Sequence, residues 1–330
     1  ANGLPAGCAF RFQDLFDNGH TNYAGDVGVG INPKLAQRVK DADLLLVIGA
    51  RLGEMTTGGY TLLSVPRPAQ KLVHVHAGAE ELGRVYQGDL LINSGMPQIA
   101  AALAAMPPVD AGAWRGWTAS THADYLEWIK PKVIPGRVQM WDIVDFLKRR
   151  LPADAILANG AGNYTGWLHR YYQHRMFRTQ LAPTSGAMGY GVPAAIAAKL
   201  VHPERTVVSW NGDGCFLMCG QELATAAQYG ANVIFIIVNN GMYGTIRMHQ
   251  EREYPARVHG TALVNPDFAL LARAYGAHGE LVEDTAGFAP AFERAAASGK
   301  PALIELRIDP QAITPNTTLD ALRAQALKKR

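Results

Sequence analysis

The chain has 330 residues, 48% of them hydrophobic, with 34 glycines and a formal net charge of +3. This length is sufficient for two domains, and the composition is typical of α/β proteins and excludes fibrous and disordered classes. No run of basic residues exceeds three, as at the terminal Lys328–Arg330, so the charge pattern does not indicate a nucleic-acid surface. Apolar runs are too short to span a membrane, and three cysteines suit a reducing compartment, so we expect a cytoplasmic protein.

The first 106 residues predict a small α/β domain. Its predicted elements are a helix near Pro33–Ala42, a buried strand at Leu44–Gly49, a strand at Lys71–His76 and a helix at Pro97–Ala105. No strand is predicted to lead into Gly25, Gly28 and Gly30, so a plain turn is favoured there over a dinucleotide fingerprint. Residues 107–138 are rich in proline, glycine and tryptophan and are interpreted as an extended interdomain linker.

Residues 139–330 predict a second domain in which strands and helices alternate. It begins with a helix at Gln139–Leu151, and strands are predicted near Ala155, Thr206, Val233, His278 and Ala302. Such alternation is typical of parallel sheets. The sequence therefore predicts the α/β class, with two Rossmann-like parallel-sheet domains.

Two short motifs in the second domain follow predicted strands. Gly212-Asp213-Gly214 follows the strand at 205–210, and Asn239-Asn240 closes the strand at 232–238, with a helix predicted between them at Phe216–Tyr229. Carboxyl ends of neighbouring parallel strands meet at one edge of the sheet, so Asp213 and Asn240 are expected to converge. Oxygen ligands of this kind suit Mg²⁺, and glycines allow close approach of an anion. Each motif alone is explained by an ordinary turn, whereas together they predict a magnesium-bound diphosphate site.

These motifs resemble those of the thiamine diphosphate-dependent enzymes of the acetolactate synthase and pyruvate oxidase group. Two further segments, Thr184–Lys199 and Leu157–Tyr164, are similar to the family segments that lie beneath the cofactor and beside its diphosphate. The resemblance implies that Mg²⁺ is held by Asp213, Asn240 and the backbone carbonyl of Met242. It also implies a cofactor-binding set around the diphosphate: Gly162, Asn163, Tyr164, Gly212, Gly214, Cys215 and Gly244.

Two further residues are assigned by the resemblance to the thiamine rings. Gly186 would offer its carbonyl to the aminopyrimidine, and Met188 would lie between the two rings and impose the bent cofactor conformation that catalysis requires. From the residues alone, the stretch Gly186–Gly191 is equally explained by close helix packing, and Met188 by an ordinary core position.

The first domain resembles the central domain of the same family through Asp41–Arg51 and Lys71–His76. In acetolactate synthase this domain holds FAD through an arginine and acidic residues. Arg51 is present and Glu54 can replace one acid, but His76 stands where the second acid is expected, which calls FAD binding into question. His74 and His76 share one face of a strand, and strand-end polar residues explain them without a metal.

The resemblance implies an enzyme that decarboxylates a 2-oxo acid such as pyruvate and ligates the product to an acceptor. The segment Gly241–Arg252 is predicted to be a loop that faces the substrate. Ile246 stands where family decarboxylases often have a glutamate, which favours a carboligase or lyase. His249 stands where acetolactate synthases have a tryptophan, so the sequence does not identify the acceptor substrate.

Three alternatives remain. The first is a non-oxidative 2-oxo acid decarboxylase or lyase of the same family. The second is an inactive scaffold, which should show damage at Asp213, Asn240 or Gly186, and the sequence shows none. The third is a nicotinamide oxidoreductase, which needs a glycine-rich turn directly after a strand and an acid about 20 residues later.

The resemblance begins inside the central domain. We therefore expect a fragment of a longer polypeptide that lacks the pyrimidine-binding domain and its activating glutamate, and that is inactive alone. We also expect a homo-dimer or tetramer, because the apolar surface around Met188, Tyr190 and Met242 would be uncovered. The segment Met242–Met248 is expected to be mobile without cofactor.

Overall fold

The computed structural model describes residues 2–329 and divides into two compact units, one up to Lys130 and one from Pro131 onward. Every strand pair within its sheets is parallel, which confirms the predicted α/β class. The first unit contains β1 (Ala6–Ala9), β2 (Tyr23–Val27), β3 (Leu44–Ile48), β4 (Lys71–His76) and β5 (Leu90–Asn93), with α1 (Pro33–Asp41), α2 (Met96–Ala105) and α3 (Arg115–Trp128).

The sheets of the first unit are small. Strands β1 and β2 form one pair, and β3, β4 and β5 form a three-stranded sheet in that order. Helix α1 begins where Asn32 caps the Lys34 N–H and Pro33 takes the first helical turn. The core on one face of the larger sheet consists of Leu52, Leu63, Leu72 and Tyr86.

The segment predicted to be an extended linker contains helix α3, so that prediction is wrong for Arg115–Trp128. The buried face of the helix carries Thr118, Thr121 and Tyr125. The ring of Tyr125 packs edge-on against Tyr23 of β2, with 4.8 Å between ring centroids. Burial of this face stabilises a helix whose hydrophobic pattern is too weak to be seen in the sequence.

Two further expectations for the first unit are corrected. A strand, β2, does lead into Gly28, and a Cβ at Gly28 would lie 2.5 Å from the Cβ of Phe10, so close packing explains that glycine. Strand β3 is not buried, because Leu44, Leu46 and Ile48 are 49%, 43% and 42% exposed. Their side chains share one face of the sheet, which the described residues leave uncovered.

The second unit contains the strands β6 (Ile156–Asn159), β7 (Gln180–Leu181), β8 (Val207–Gly212), β9 (Ile234–Asn239), β10 (His278–Val282) and β11 (Ala302–Arg307). Its helices are α4 (Met140–Arg150), α5 (Thr165–Tyr171), α6 (Gly191–Val201), α7 (Asp213–Phe216), α8 (Leu223–Gln228), α9 (Gly244–Glu253), α10 (Phe268–Ala274), α11 (Thr285–Ala297) and α12 (Leu319–Lys328). The strands form one parallel sheet in the order β10-β11-β9-β8-β6-β7. The five predicted strands are confirmed.

Two predicted segments of the second unit differ from the structure. The single helix predicted at Phe216–Tyr229 is broken into α7, a 3-10 turn at Gly220–Glu222 and α8. Close packing accompanies the break, since a Cβ at Gly220 would lie 2.8 Å from the ring of Phe216. The loop predicted over Gly241–Arg252 is helical from Gly244 onward, because an Arg247–Glu251 ion pair one turn apart supports α9.

Candidate functional site

The candidate site lies at the carboxyl ends of β6, β8 and β9, which are neighbours in the sheet. Strands β8 and β9 are buried along their whole length, so their ends are held by the core. Asp213 follows β8, and Asn240 follows β9. The N–H of Gly241 donates to Asp213 Oδ2 at 2.9 Å, which brings the residue after Asn240 against the Asp213 carboxylate. The predicted convergence of the two motifs is thus present in the structure.

The carboxylate of Asp213 is 3% exposed and surrounded by N–H donors. Oδ1 accepts the Gly214 N–H at 2.9 Å, and Oδ2 accepts the Gly241 N–H and the Asn265 amide, the latter at 2.8 Å. Burial raises the pKa of Asp213 above its ordinary value. The hydrogen bonds that the carboxylate accepts act in the opposite direction, and the bond from Asn265 has the largest lowering effect. These donors compensate the buried negative charge.

Asn265 was not identified from the sequence. Its amide nitrogen donates to Asp213 Oδ2 and also to Asn239 Oδ1, at 2.9 Å. Asn239 in turn donates to Glu305 Oε1 on β11 at 2.8 Å, and Glu305 is 1% exposed. A buried polar network therefore joins the ends of β8, β9 and β11, and no local motif marks Asn265 or Glu305 as members.

Three of the residues predicted to hold a diphosphate, Gly162, Asn163 and Gly244, come from two segments that contact each other. The Asn163 N–H donates to Thr245 Oγ1 at 3.0 Å, and that hydroxyl donates to Asn163 Oδ1 at 3.1 Å. Thr245 follows Gly244, the first residue of α9. Gly162, Asn163 and Gly244 therefore lie beside the first turn of a helix, where backbone N–H groups are available to an anion.

The side chains of Tyr164 and Cys215 serve packing. The Tyr164 ring fills the space that a Cβ at Gly212 would need, 2.6 Å from the ring carbon Cδ1. Burial raises the pKa of Tyr164 well above its usual range. Cys215 is buried, and its Sγ accepts the Gly189 N–H at 3.1 Å. A diphosphate contact from either residue would thus come from its backbone.

Gly186 and Met188 lie in the segment between β7 and α6. Gly186 has a φ of +76°, a left-handed conformation that favours glycine, and its N–H donates to the carbonyl of Pro183. Met188 is half-buried. The contact of Gly189 with Cys215 holds this segment against α7. The structure thus connects the segment to the strand-end site, and the ring contacts of Gly186 and Met188 stay predictions.

Two family models match the chain. A model described as the thiamine pyrophosphate enzyme, C-terminal TPP binding domain, matches residues 160–306, and one described as the thiamine pyrophosphate enzyme, central domain, matches residues 1–103. Together the two matches span well over half of the chain. The chain belongs to the thiamine pyrophosphate enzymes. The C-terminal match contains Asp213, Asn240 and Asn265.

Curated relatives agree with the family. The chain is 28% identical to the acetolactate synthase large subunit of Corynebacterium glutamicum over 89% of this chain and 48% of that protein. It is 26% identical to the acetolactate synthase isozyme 2 large subunit of Escherichia coli over 94% of this chain and 56% of that protein. For a probable acetolactate synthase large subunit of Methanocaldococcus jannaschii the values are 27%, 94% and 54%. The chain spans about half the length of these relatives.

The donor set of the site fits a magnesium diphosphate group. Asp213 supplies a carboxylate and Asn240 an amide oxygen, both of which are ligands that Mg²⁺ prefers. Oδ2 of Asp213 accepts two N–H groups and Oδ1 accepts one, so Oδ1 retains capacity for a cation. The part of the chain that the structure describes contains no cluster of three or more His, Cys, Asp or Glu side chains that could hold a metal, so this site has one carboxylate and would depend on amide and backbone oxygens.

Two central-domain residues considered for FAD, Arg51 and His76, have contacts within their own unit. Arg51 pairs with Glu81 at 2.9 Å, and Glu81 also contacts Arg84. His76 stands where the family has an acid, and its Nδ1 accepts the Gly78 N–H at 3.0 Å within its own loop. These contacts do not test FAD binding, which stays a doubtful prediction from the sequence. Between residues 2 and 329 no helix is both long and apolar enough to cross a membrane.

Proposed function

We propose that the chain is part of a thiamine diphosphate- and magnesium-dependent enzyme that decarboxylates a 2-oxo acid such as pyruvate and ligates the product to an acceptor. The observation that carries this proposal is the buried Asp213 carboxylate at the end of β8, in contact with the backbone beside Asn240. The names of the relatives, all acetolactate synthases, support the carboligase. Such an enzyme is expected in the cytoplasm.

The residues of this chain would hold and orient the cofactor. Asp213, Asn240 and the Met242 carbonyl would bind Mg²⁺, and the first turn of α9 would receive the diphosphate. When bound, thiamine diphosphate supplies a C2 carbanion that adds to the substrate carbonyl and acts as an electron sink when carbon dioxide leaves. Gly186 and Met188 would keep the two rings bent, which positions the internal base of the cofactor near the reacting carbon.

Ile246 favours carboligation over simple decarboxylation. It lies on the first turn of α9, directly after the proposed metal ligands, and is 52% exposed. An apolar side chain at this position offers no proton to an intermediate that has lost carbon dioxide, so the intermediate can survive to meet an acceptor. A lyase or non-oxidative decarboxylase of the same family is the alternative.

Asp213→Ala tests the metal site. We expect this substitution to abolish Mg²⁺-dependent binding of thiamine diphosphate, because it removes the only carboxylate proposed for the metal, while circular dichroism shows the fold retained. Calorimetry with and without Mg²⁺ measures the binding. Asp142→Ala, which removes an exposed carboxylate from the first turn of α4, is the control and should bind as the unsubstituted chain does. Unchanged affinity in Asp213→Ala would contradict the assignment.

We also propose that a pyrimidine-binding domain with the activating glutamate completes the active site, in a homo-dimer or tetramer. The 330-residue chain alone should then bind thiamine diphosphate weakly and should not turn over pyruvate. Addition of a pyrimidine-binding domain should restore turnover. Acetolactate formation by the purified chain alone would overturn this part of the proposal.

A further inference from the structure

Asn265 holds one oxygen of the proposed metal ligand. Its amide nitrogen lies 2.8 Å from Asp213 Oδ2 and 2.9 Å from Asn239 Oδ1. Both neighbours are oxygen atoms, so the NH₂ end of the amide must face them. The same two oxygens also accept the Gly241 N–H, at 2.9 Å and 3.0 Å. The carboxylate is thereby tied to the end of strand β9.

The orientation of Asn239 is fixed by a second charged group. Its Nδ2 donates to Glu305 Oε1 at 2.8 Å, so its Oδ1 must point to Gly241 and Asn265. Glu305 is 1% exposed and also contacts Arg307 at 3.3 Å. The neighbours of Asn239 therefore determine which end of its amide donates and which accepts. The orientation of the Asn265 amide is determined in turn by Asn239 and Asp213.

The two oxygens of Asp213 consequently differ. Oδ2 accepts two N–H donors and Oδ1 accepts one, from Gly214. A carboxylate oxygen has two lone-pair sites, so the Gly241 and Asn265 donors fill Oδ2, and Oδ1 is the oxygen more open to a cation. The Met242 N–H also interacts with this carboxylate and lowers its pKa. A cation would then be held through one carboxylate oxygen only. Monodentate coordination suits the small octahedral shell of Mg²⁺, whereas Ca²⁺ accepts bidentate carboxylates and a larger, flexible shell.

We infer that Asn265 is a positioning residue that keeps Asp213 monodentate and so makes the site select Mg²⁺ over Ca²⁺. This inference rests on the proposed function, because it concerns the proposed magnesium site. Loss of the Asn265 amide would free a lone pair on Oδ2, and the carboxylate could then bind a larger cation through both oxygens.

Metal competition tests the inference. Bound Mn²⁺ is measured on the chain by electron paramagnetic resonance with thiamine diphosphate present, and Mg²⁺ and Ca²⁺ are titrated to displace it. In Asn265→Ala we expect Mg²⁺ affinity to fall by about tenfold or more, as is common when a residue that orients a metal ligand is lost. The preference for Mg²⁺ over Ca²⁺ should fall by about threefold or more, because only Ca²⁺ benefits from bidentate binding.

Two further variants separate selectivity from stability. Asn265→Leu keeps about the size of the side chain but offers no hydrogen bond to Oδ2, so it should shift the preference towards Ca²⁺ as Asn265→Ala does, even if the alanine variant folds poorly. Asn316→Ala removes a hydrogen bond to Arg170 and is the control. It should leave the Mg²⁺ to Ca²⁺ ratio unchanged, whatever its melting temperature.

The outcomes are distinct. If both Asn265 variants bind Mn²⁺ and keep the Mg²⁺ to Ca²⁺ preference of the unsubstituted chain, the proposed role of Asn265 is overturned. The proposed function would be unaffected by that result. Equal loss of Mg²⁺ and Ca²⁺ affinity would show that Asn265 supports only the fold, and would also overturn the inference. Because the chain alone is expected to bind the cofactor weakly, thiamine diphosphate is used at saturating concentration. Failure of the unsubstituted chain to bind displaceable Mn²⁺ under that condition would contradict the metal site itself, and with it both proposals.

Discussion

The buried carboxylates at the strand ends are tolerated because each one accepts hydrogen bonds. Asp213 is compensated by three N–H donors, and Glu305 by Asn239 and Arg307. An uncompensated carboxylate at this depth would cost several kcal/mol. At the scale of single residues, the site therefore depends on the donors that compensate its buried carboxylates as much as on the proposed metal ligands.

Gly160→Ala should destabilise the second unit. A Cβ at this position would overlap with Cys215 Sγ and Tyr164 Oη, both held in a packed interior. Overpacking of this kind costs about 1–3 kcal/mol, which urea unfolding would measure. Gly287→Ala is the matched control, because a Cβ there meets only ordinary contacts at 3.6 Å or more within α11. It should be neutral or stabilising, and equal losses in both variants would contradict the packing argument.

Local sequence motifs predicted some residues of the candidate site and could not predict others. Asp213 and Asn240 are recognisable because each directly follows an apolar strand. Asn265 and Glu305 reach the same place through tertiary contacts, 52 and 66 residues away in sequence from the side chains they meet. The side-chain direction of Tyr164 was equally unpredictable, since it depends on the glycines packed against its ring.

At the scale of elements, α9 and α12 are joined through one buried carboxylate. Glu251 is 0% exposed and accepts from Arg323 at 2.7 and 2.9 Å, from Arg247 at 2.7 Å and from the Ala256 N–H. The Arg323 hydrogen bonds lower the pKa of Glu251 from 4.5 to about 2. Because α9 follows the proposed metal ligands, this contact fixes the helix that carries Ile246.

Glu251→Gln should reduce stability in a pH-dependent way. The folded pKa lies below the ordinary value, so the contribution of Glu251 is fully present above pH 4.5 and is lost as the pH falls towards 2. At pH 7 the variant should be less stable by on the order of 3 kcal/mol. That difference should shrink by about 1.4 kcal/mol per pH unit below 4.5.

Urea unfolding between pH 7 and pH 3 measures this difference. Glu283→Gln provides the control, because Glu283 pairs with Arg307 at the surface, where both side chains are more than half exposed. Exposed pairs of this kind contribute about 0–1 kcal/mol, so Glu283→Gln should show no comparable pH dependence. A Glu251→Gln difference that stays constant from pH 7 to pH 3 would rule out the carboxylate as its source.

Elements with strong periodicity or β-branched runs were predictable, and those set by tertiary packing were not. Strand β9 is an apolar run up to Asn239, and β8 starts with two valines and contains Trp210; both overlap the strands that the sequence predicted. Helix α3 gains its stability from packing against β2, and the break after α7 accompanies the Phe216 contact with Gly220. Neither effect has a signature in local sequence.

At the scale of the whole molecule, the two units have separate cores of different size. The core of the second unit lies around its six-stranded sheet and includes Phe216, Phe235 and Phe268. The first unit has two small core clusters, and its β3 face is open to solvent. One cluster consists of Leu52, Leu63, Leu72 and Tyr86, and the other of Cys8, Tyr23 and Tyr125. An apolar strand in the sequence predicts a sheet, but it does not show whether both faces of that sheet are covered.

Core truncations should therefore act on one unit at a time. Leu72→Ala removes a fully buried side chain from the first unit, and Ile236→Ala does so in the second. Each should cost about 2–5 kcal/mol and accelerate hydrogen exchange in its own unit, with the first unit less protected throughout because it buries less apolar surface. Val264→Ala, at a fully exposed position, should change stability by about 0.5 kcal/mol or less. Exchange followed by mass spectrometry resolves peptides of β4 from those of β8. Acceleration that spreads equally over both units after either truncation would show that the chain unfolds as a single cooperative body.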